Sequence, residues 1–342
     1  YGFYTASDSR VGLPLSEITI ADLLQQSGYA TGVFGKWHLG YRPPYHPLKR
    51  GFEEFYGFLG HGGHDYFDLK FDPDRVHNAI YRNNQIIDET GYLTDNLARE
   101  AVSFIDRNRS NPFFLYLPFN AVHFPMQAPA EDIRRFNTGN RDRDVLMAML
   151  WRMDIAIGEV LDALKHNGVW DNTLIFFLSD NGGARKNSAD NTPLRDYKQS
   201  VYEGGLRVPF VVSWPERLPA GRVSHDPVIL FDIFPTICAA AGIDLPPGRI
   251  YDGRDMVPLL QDDTTGSLHD VLYWDGDDGQ WAAREGKWKL LTNKQNHLEL
   301  YDLEADIGEK QNLVEHHPDV VRRLRTSYET WRRQMGKRIS GR

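Results

Sequence analysis

The stretch Leu174-Ile175-Phe176-Phe177-Leu178 contains no polar side chain, and it runs directly into Ser179-Asp180-Asn181-Gly182-Gly183. An apolar run bounded by turn residues reads as a strand covered on both faces, because a half-exposed strand would alternate apolar and polar residues. Ahead of it, Leu146, Leu150, Met153, Ile157, Val160, Leu161 and Leu164 keep one helical face, and Asn167-Gly168 supplies the stop. A helix feeding a buried strand with a polar tip is the repeating unit of an α/β sheet, in which ligands gather beyond the carboxyl ends of the strands.

The same unit occurs twice upstream. Thr19 and Asp22 fit a capping box, Ile20, Leu23 and Leu24 continue a short helix, and Gly28 ends it. The β-prone segment Tyr29 to Lys36 follows and ends in Gly35-Lys36-Trp37-His38-Leu39-Gly40. A second helix, Thr94 to Ile105, leads to a strand at Phe113 to Phe119 and then to Asn120 and His123. A further strand is expected at Val208 to Trp214. From about Asp270 the pattern changes to short β segments at Val271 to Trp274, Trp281 to Arg284, Trp288 to Leu291 and Leu298 to Tyr301. After Pro318 a helix uses Val321, Leu324, Tyr328 and Trp331 as its apolar face. Two domains are therefore expected, an α/β domain over 1–265 and a small antiparallel sheet with a helix over 266–342.

Composition excludes several classes. Lys and Arg number 39 against 47 Asp and Glu, a net charge of −8, which disfavours a broad phosphate-backbone binder and makes nucleic acid an unexpected partner. No apolar stretch approaches the roughly twenty residues of a membrane helix. The single cysteine, Cys238, excludes an internal disulfide framework and a multi-cysteine zinc site, and Ile237-Cys238-Ala239-Ala240-Ala241 reads as a buried helix. The chain opens with Tyr1 and shows no basic-then-apolar leader.

The strand tips and the loop before Val208 supply Lys36, His38, His123, Asp180, Asn181 and Lys198. Asp180-Asn181 offers two hard oxygen ligands suited to calcium or magnesium, and two lysines with two histidines suit a tetrahedral oxyanion. Taken alone, Asp-Asn-Gly-Gly is an ordinary turn, since Asn-Gly favours positive φ. Taken in order, the set resembles the type I sulfatases of the alkaline phosphatase superfamily. The resemblance rests on Gly35 to Gly40, Asn120-Ala121-Val122-His123-Phe124-Pro125, Ser179 to Gly183, and Pro193-Leu194-Arg195-Asp196-Tyr197-Lys198 followed by Glu203-Gly204-Gly205-Leu206-Arg207-Val208-Pro209. Asp232-Ile233-Phe234-Pro235-Thr236, Leu300-Tyr301-Asp302-Leu303 and Asn312-Leu313 look like further landmarks.

The resemblance implies an alkaline-phosphatase-like α/β/α sandwich with a large mixed sheet, and a calcium-dependent sulfuric ester hydrolase acting on a sulfated small molecule or sulfated glycan. Asp180 and Asn181 become metal ligands; Lys36, His38, His123 and Lys198 become catalytic groups; Arg195 and Arg207 hold the Lys198 loop by pairing with carboxylates or carbonyls. The Gly60 to Phe67 loop resembles that of carbohydrate sulfatases, which makes His64 and Asp65 substrate contacts. The acidic run Asp275 to Gly279 reads as a solvated turn. The family's nucleophile is a formylglycine made by a maturation enzyme from Cys or Ser in a Cys/Ser-x-Pro-x-Arg motif, with two N-terminal aspartates completing the calcium site. Cys238 and Ser7-Asp8-Ser9-Arg10 do not fit that motif. The first strand, the nucleophile segment and the aspartates are thus expected to precede Tyr1, leaving the chain as given inactive. Family habit implies a periplasmic or secreted protein. Two other readings stand: a metal-dependent phosphatase or phosphodiesterase on the same fold, and a non-catalytic remnant that binds sulfated glycans.

Overall fold

Thr19 starts the first helix of the computed structural model, which describes residues 12–60, 63–73, 79–261, 266–276 and 279–335. The Thr19 hydroxyl accepts from the Asp22 amide at 3.0 Å, and the Asp22 carboxylate accepts from the Thr19 amide at 2.8 Å, which satisfies two otherwise unpaired donors of α1 (Ile20–Gln26). β1 (Ala30–Lys36) follows, then β2 (Glu54–Phe58), β3 (Ile80–Arg82), β4 (Gln85–Ile87), α2 (Leu93–Asn108), β5 (Phe113–Tyr116), α3 (Ala130–Ile133) and α4 (Arg141–His166). These strands form one mixed sheet in the order β4-β3-β2-β1-β5, with β1 parallel to β2 and β5 and the other pairs antiparallel. β1, which has a strand on either side, is buried from Thr31 to Gly35. One cluster packs Ala21, Val33, Trp37, Phe52, Phe55 and Leu59, while Phe34 meets Phe104 of α2. α4 begins five residues before the first apolar position, because Asn140 caps it through the amides of Asp142 and Arg143 and two aspartates occupy its first turn.

The chain divides into two compact units, one reaching Thr173 and including Ile237–Pro247, the other comprising Leu174–Thr236 and residues from Gly248 onward. The boundary expected at residue 265 falls inside the second. Its elements are β6 (Ile175–Leu178), α5 (Glu203–Leu206), β7 (Phe210–Ser213), α7 (Val257–Gln261), β8 (Leu272–Asp275), β9 (Trp281–Glu285), β10 (Trp288–Thr292), β11 (Leu298–Asp302) and α8 (Pro318–Gln334); α6 (Ile233–Ala241) carries the buried Cys238. β6 is not the fully covered central strand that its composition suggested. It pairs with β7 alone, antiparallel, and Phe177 and Val211 remain 41% and 56% exposed.

The later strands form an antiparallel sheet, β11-β10-β9-β8, as their spacing implies. Alternate residues face opposite clusters: Ala283, Leu290 and Leu300 meet Val320, Leu324 and Tyr328 of α8, whereas Ala282, Leu291 and Tyr301 meet Val201, Tyr202 and Leu303. Trp281 stacks on Tyr328 with ring centres 4.1 Å apart. Among the described residues no helix is long and apolar enough to cross a membrane.

Candidate active site

Lys36 is the last residue of β1, at the carboxyl edge of the parallel pairs, where the open ends of strands leave room for a ligand. Its amide donates to the Pro118 carbonyl at 3.0 Å, and the next amide, of Trp37, donates to the Phe58 carbonyl at 3.0 Å, so this tip is fixed from both neighbouring strands. Gly35 permits the approach: it has φ +144°, and a Cβ there would stand 2.1 Å from the Pro118 oxygen. Trp37 is buried and donates from Nε1 to the Tyr45 carbonyl at 2.8 Å. The chain then turns through His38 in the left-handed region, φ 57°. A buried indole on one side and a reversal on the other explain why Lys36 and His38 alternate around an anchored residue.

His123 follows β5 and is set by its own neighbours. Its amide donates to the Asn120 carbonyl, its carbonyl accepts from the Tyr66 hydroxyl at 3.0 Å, and its Nδ1 lies 2.7 Å from the Phe124 carbonyl. A carbonyl only accepts, so Nδ1 carries the proton. Asn120 is buried and donates to the His64 carbonyl at 3.0 Å, while its Oδ1 has no hydrogen-bond partner among the described residues. Gly35 to Lys36, Asn120 to His123 and the loop from Gly63 thus meet at one sheet edge.

The Gly63 to Asp68 segment is held rather than presented; His61 and Gly62 lie outside the described residues. Asp65 Oδ1 accepts from the amides of Phe67 and Asp68 at 2.9 and 2.7 Å, and its Oδ2 accepts from Gln127 Nε2 at 2.8 Å. Gln127 Oε1 accepts in return from the Tyr66 amide at 2.8 Å. Burial alone would raise the Asp65 carboxyl, but the bonds from Asp68, Gln127 and Phe67, with the nearby His64, together hold it below its ordinary value. His64 is 3% exposed, packs on Phe58 and turns Nδ1 to the Asp65 carbonyl at 2.6 Å. Gln127 was not singled out in the sequence; a glutamine shortly after His123 carries no pattern of its own.

The second unit assembles Asp180, Asn181 and Lys198. The Lys198 amide donates to the Gly183 carbonyl at 3.0 Å, and the Gly182 amide donates to the Gly205 carbonyl at 3.1 Å. Asn191 Nδ2 reaches the carbonyls of Gly183, Asp196 and Gly204, all within 3.1 Å. Gly204 is required for this braid, since a Cβ there would sit 2.2 Å from the Asp196 oxygen. Arg195 does hold the loop: Nη1 donates to the Tyr301 hydroxyl at 2.9 Å and the Glu309 carbonyl at 2.7 Å, and its guanidinium lies 4.0 Å from the centre of the Tyr202 ring. Arg207 lies 3.9 Å from the Glu203 carboxylate. Within the acidic run, Asp275 lies 3.5 Å from Arg332, and Asp277 and Asp278 lie outside the described residues.

A hard cation fits Asp180 and Asn181 in kind. Asn181 Nδ2 is spent on the Gly182 carbonyl at 3.0 Å, which leaves its amide oxygen as the available donor, and Asp180 is exposed. Among the described residues no group of three or more His, Cys, Asp and Glu side chains is disposed to hold a metal.

One Ser-x-Pro-x-Arg segment escaped the sequence reading: Ser213-Trp214-Pro215-Glu216-Arg217. Ser213 pairs with Ile175 at the start of β6, while Asp180 follows Leu178, which pairs with Phe210. Three ladder steps, about 10 Å, separate Ser213 from the end that carries Asp180 and Asn181. The amides of Arg217 and Leu218 both donate to the Trp214 carbonyl, and Arg217 stacks over that indole, so the segment is a structural turn. Ser7 lies outside the described residues. Burial pushes the Cys238 thiol up, which makes it a poor nucleophile.

The family description Sulfatase matches residues 1–243, and N-sulphoglucosamine sulphohydrolase, C-terminal, matches 196–334. The chain is 29% identical to the uncharacterized sulfatase YdeN of Escherichia coli K12, over 95% of this chain and 68% of that protein. It is 33% identical to the N-acetylgalactosamine-6-sulfatase of Canis lupus familiaris, over 83% of this chain and 57% of that one, so it spans little more than half of that relative's length. The crystal structure of Ps i-CgsB in complex with k-i-k-neocarrahexaose superposes with a TM-score of 0.90 at 36% identity, covering 96% of this chain and 77% of that one.

Proposed function

The chain belongs to the sulfatase family, and from that premise we propose that it hydrolyses a sulfate monoester of a carbohydrate, with calcium held by Asp180 and Asn181. The tie between the Lys198 amide and the Gly183 carbonyl supports this most, because it sets a cationic side chain on the same braid as the hard-oxygen pair. The N-acetylgalactosamine-6-sulfatase relative and the oligosaccharide bound by Ps i-CgsB favour a sugar as the alcohol.

Attack at sulfur leaves negative charge on the departing oxygen, so cations belong on the sulfate and an acid at the leaving group. Asp180 and Asn181 would hold calcium, whose charge would lower the cost of bringing anionic groups together. Lys36 neutralises sulfate oxygens, and His38 acts as the base that frees the product. His123 keeps Nδ1 on the Phe124 carbonyl, so it offers Nε2–H to the leaving oxygen when protonated, and Lys198 shares that oxygen. None of the described residues is assigned as nucleophile. Both Asp65 oxygens are already bonded within the protein, so we assign Asp65, with His64, to ordering the loop beside His123 rather than to gripping the sugar.

Sulfate release from sulfated sugars by the full-length protein, followed by ion chromatography, tests the reading. His123→Ala or Lys198→Ala should lower kcat by about 10²-fold or more. Wild-type rates in both would remove their roles. Phosphate release without sulfate release would favour the phosphatase alternative.

A further inference from the structure

Lys289 lies in the middle of β10 and is fully buried, with its ammonium 2.8 Å from Glu203 and 2.9 Å from Glu309, both of them buried as well. Glu309 Oε2 accepts from the Glu203 amide at 2.7 Å, and Glu309 itself sits at φ 51° with its carbonyl taken by Arg195. Beside this hub, Glu299 of β11 accepts from the hydroxyls of Tyr202 and Tyr301 and from Asn293 Nδ2. Tyr202 and Tyr301 are the rings against which Arg195 lies. Through Glu203, Tyr202 and Arg195 these contacts reach the segment from Arg195 to Glu203, in which Lys198 stands.

Placing three charged side chains in a core costs several kcal/mol each unless they satisfy one another, and well-packed apolar residues would often serve stability as well. The cluster therefore serves geometry better than it serves cohesion. A charge that must meet two fixed carboxylates admits one arrangement, and that arrangement is passed to the loop through the Glu203 amide and the Arg195 guanidinium.

We propose that Lys289, Glu309 and Glu299 are positioning residues for Lys198, so that the antiparallel sheet is the mount of the leaving-group cation. The proposal of a mount stands on contacts alone; its catalytic consequence rests on the role given to Lys198 above.

Hydrogen exchange and leaving-group dependence test the two parts separately in the full-length protein. Glu309→Gln keeps the size of the side chain, and Arg195→Ala lies at a half-exposed position where folding is safe. In both, the amides of Lys198 and Gly204 should exchange about tenfold faster or more, the scale of a lost hydrogen bond to a charged group. The ladder amides of β9 and β10 should stay within about twofold of wild type. Equal acceleration everywhere would mean general loosening and would overturn the mount. For catalysis, rates are compared on 4-nitrophenyl sulfate, a good leaving group, and on an alkyl sulfate. Lys198→Ala, Arg195→Ala and Glu309→Gln should each depress the alkyl rate about tenfold more than the aryl rate, whereas a smaller folded fraction would lower both alike. Selective loss in Lys198→Ala without it in the other two overturns the positioning role. No selective loss in Lys198→Ala, with exchange still faster only in the loop, overturns the leaving-group assignment and leaves the mount standing.

Discussion

Two regions of the molecule hold their functional side chains by different physics. Around Lys36, His38 and His123 the restraints are backbone bonds between parallel strands and the neutral amides of Asn120 and Gln127. Around Lys198 they are ionised groups in a core: Lys289 with Glu203 and Glu309, and Glu299 with Arg195, whose charges lie 3.7 Å apart. The difference teaches that a sheet edge can place residues directly, because strand register already fixes them to within a fraction of an ångström. A loop has no register and needs a specific anchor. The second region should answer to any loss of charge.

Removal of one buried partner should produce the largest effect. Lys289→Ala removes the buried ammonium that Glu203 and Glu309 share and should cost about 3–5 kcal/mol of unfolding free energy, measured by urea titration. Gln127→Ala breaks the clamp to Asp65 and the Tyr66 amide in the other region and should cost about 1–3 kcal/mol by the same measurement. Equal costs for the two would break the distinction between a charged and a neutral anchor.

A smaller effect lies in the acid limb of stability. Burial pushes the Glu299 carboxyl up, but the hydrogen bonds from Tyr202, Tyr301 and Asn293, with the Arg195 charge, outweigh it and hold the group below the usual carboxylate range. A depressed carboxyl stabilises the fold above its unfolded value, and that contribution fades as pH falls through the folded value. Glu309 has the opposite sign: burial, only partly offset by Lys289, holds its carboxyl above the ordinary range, so its contribution fades as pH rises through the folded value. Glu299→Gln should therefore flatten the fall of Tm between neutral and acid pH, and Glu309→Gln should not. The reverse outcome would exchange the roles of the two acids.

Much of this was legible in the residues, and the reasons for the rest are physical. The capping box at Thr19, the alternation over β8 to β11 and the tips carrying Lys36, His123 and Asp180 follow from local rules of period and turn chemistry. β6 was misread because an apolar run reports only that a strand can be covered, not what covers it. The anchor at Lys289 had a partial signal: Leu290 and Leu291 are adjacent in one strand, which buries both faces and so encloses the lysine on one of them. Its partners at Glu203 and Glu309 lie far off in sequence, and nothing local points to them. Asp65 stood out because a carboxylate in a glycine-rich loop suggests a ligand; its bonds to two amides and Gln127 were not legible locally.

The smallest expected effect concerns Ser213, where sequence and geometry disagree most. Its segment has the letters of a formylglycine precursor, yet Ser213 closes β7 at the far end of the β6 ladder from Asp180, on a turn built over the buried Trp214. A nucleophile must sit within bonding distance of sulfur, and a residue about 10 Å down the ladder from the proposed ligands Asp180 and Asn181 does not. Ser213→Ala should change unfolding free energy by no more than about 0.5 kcal/mol and leave sulfate release unaltered. Mass spectrometry of the peptide spanning Ser213 should find the serine intact; a species two hydrogens lighter, the aldehyde, would return this turn to the chemistry and place a modified residue in the region that the buried charges hold.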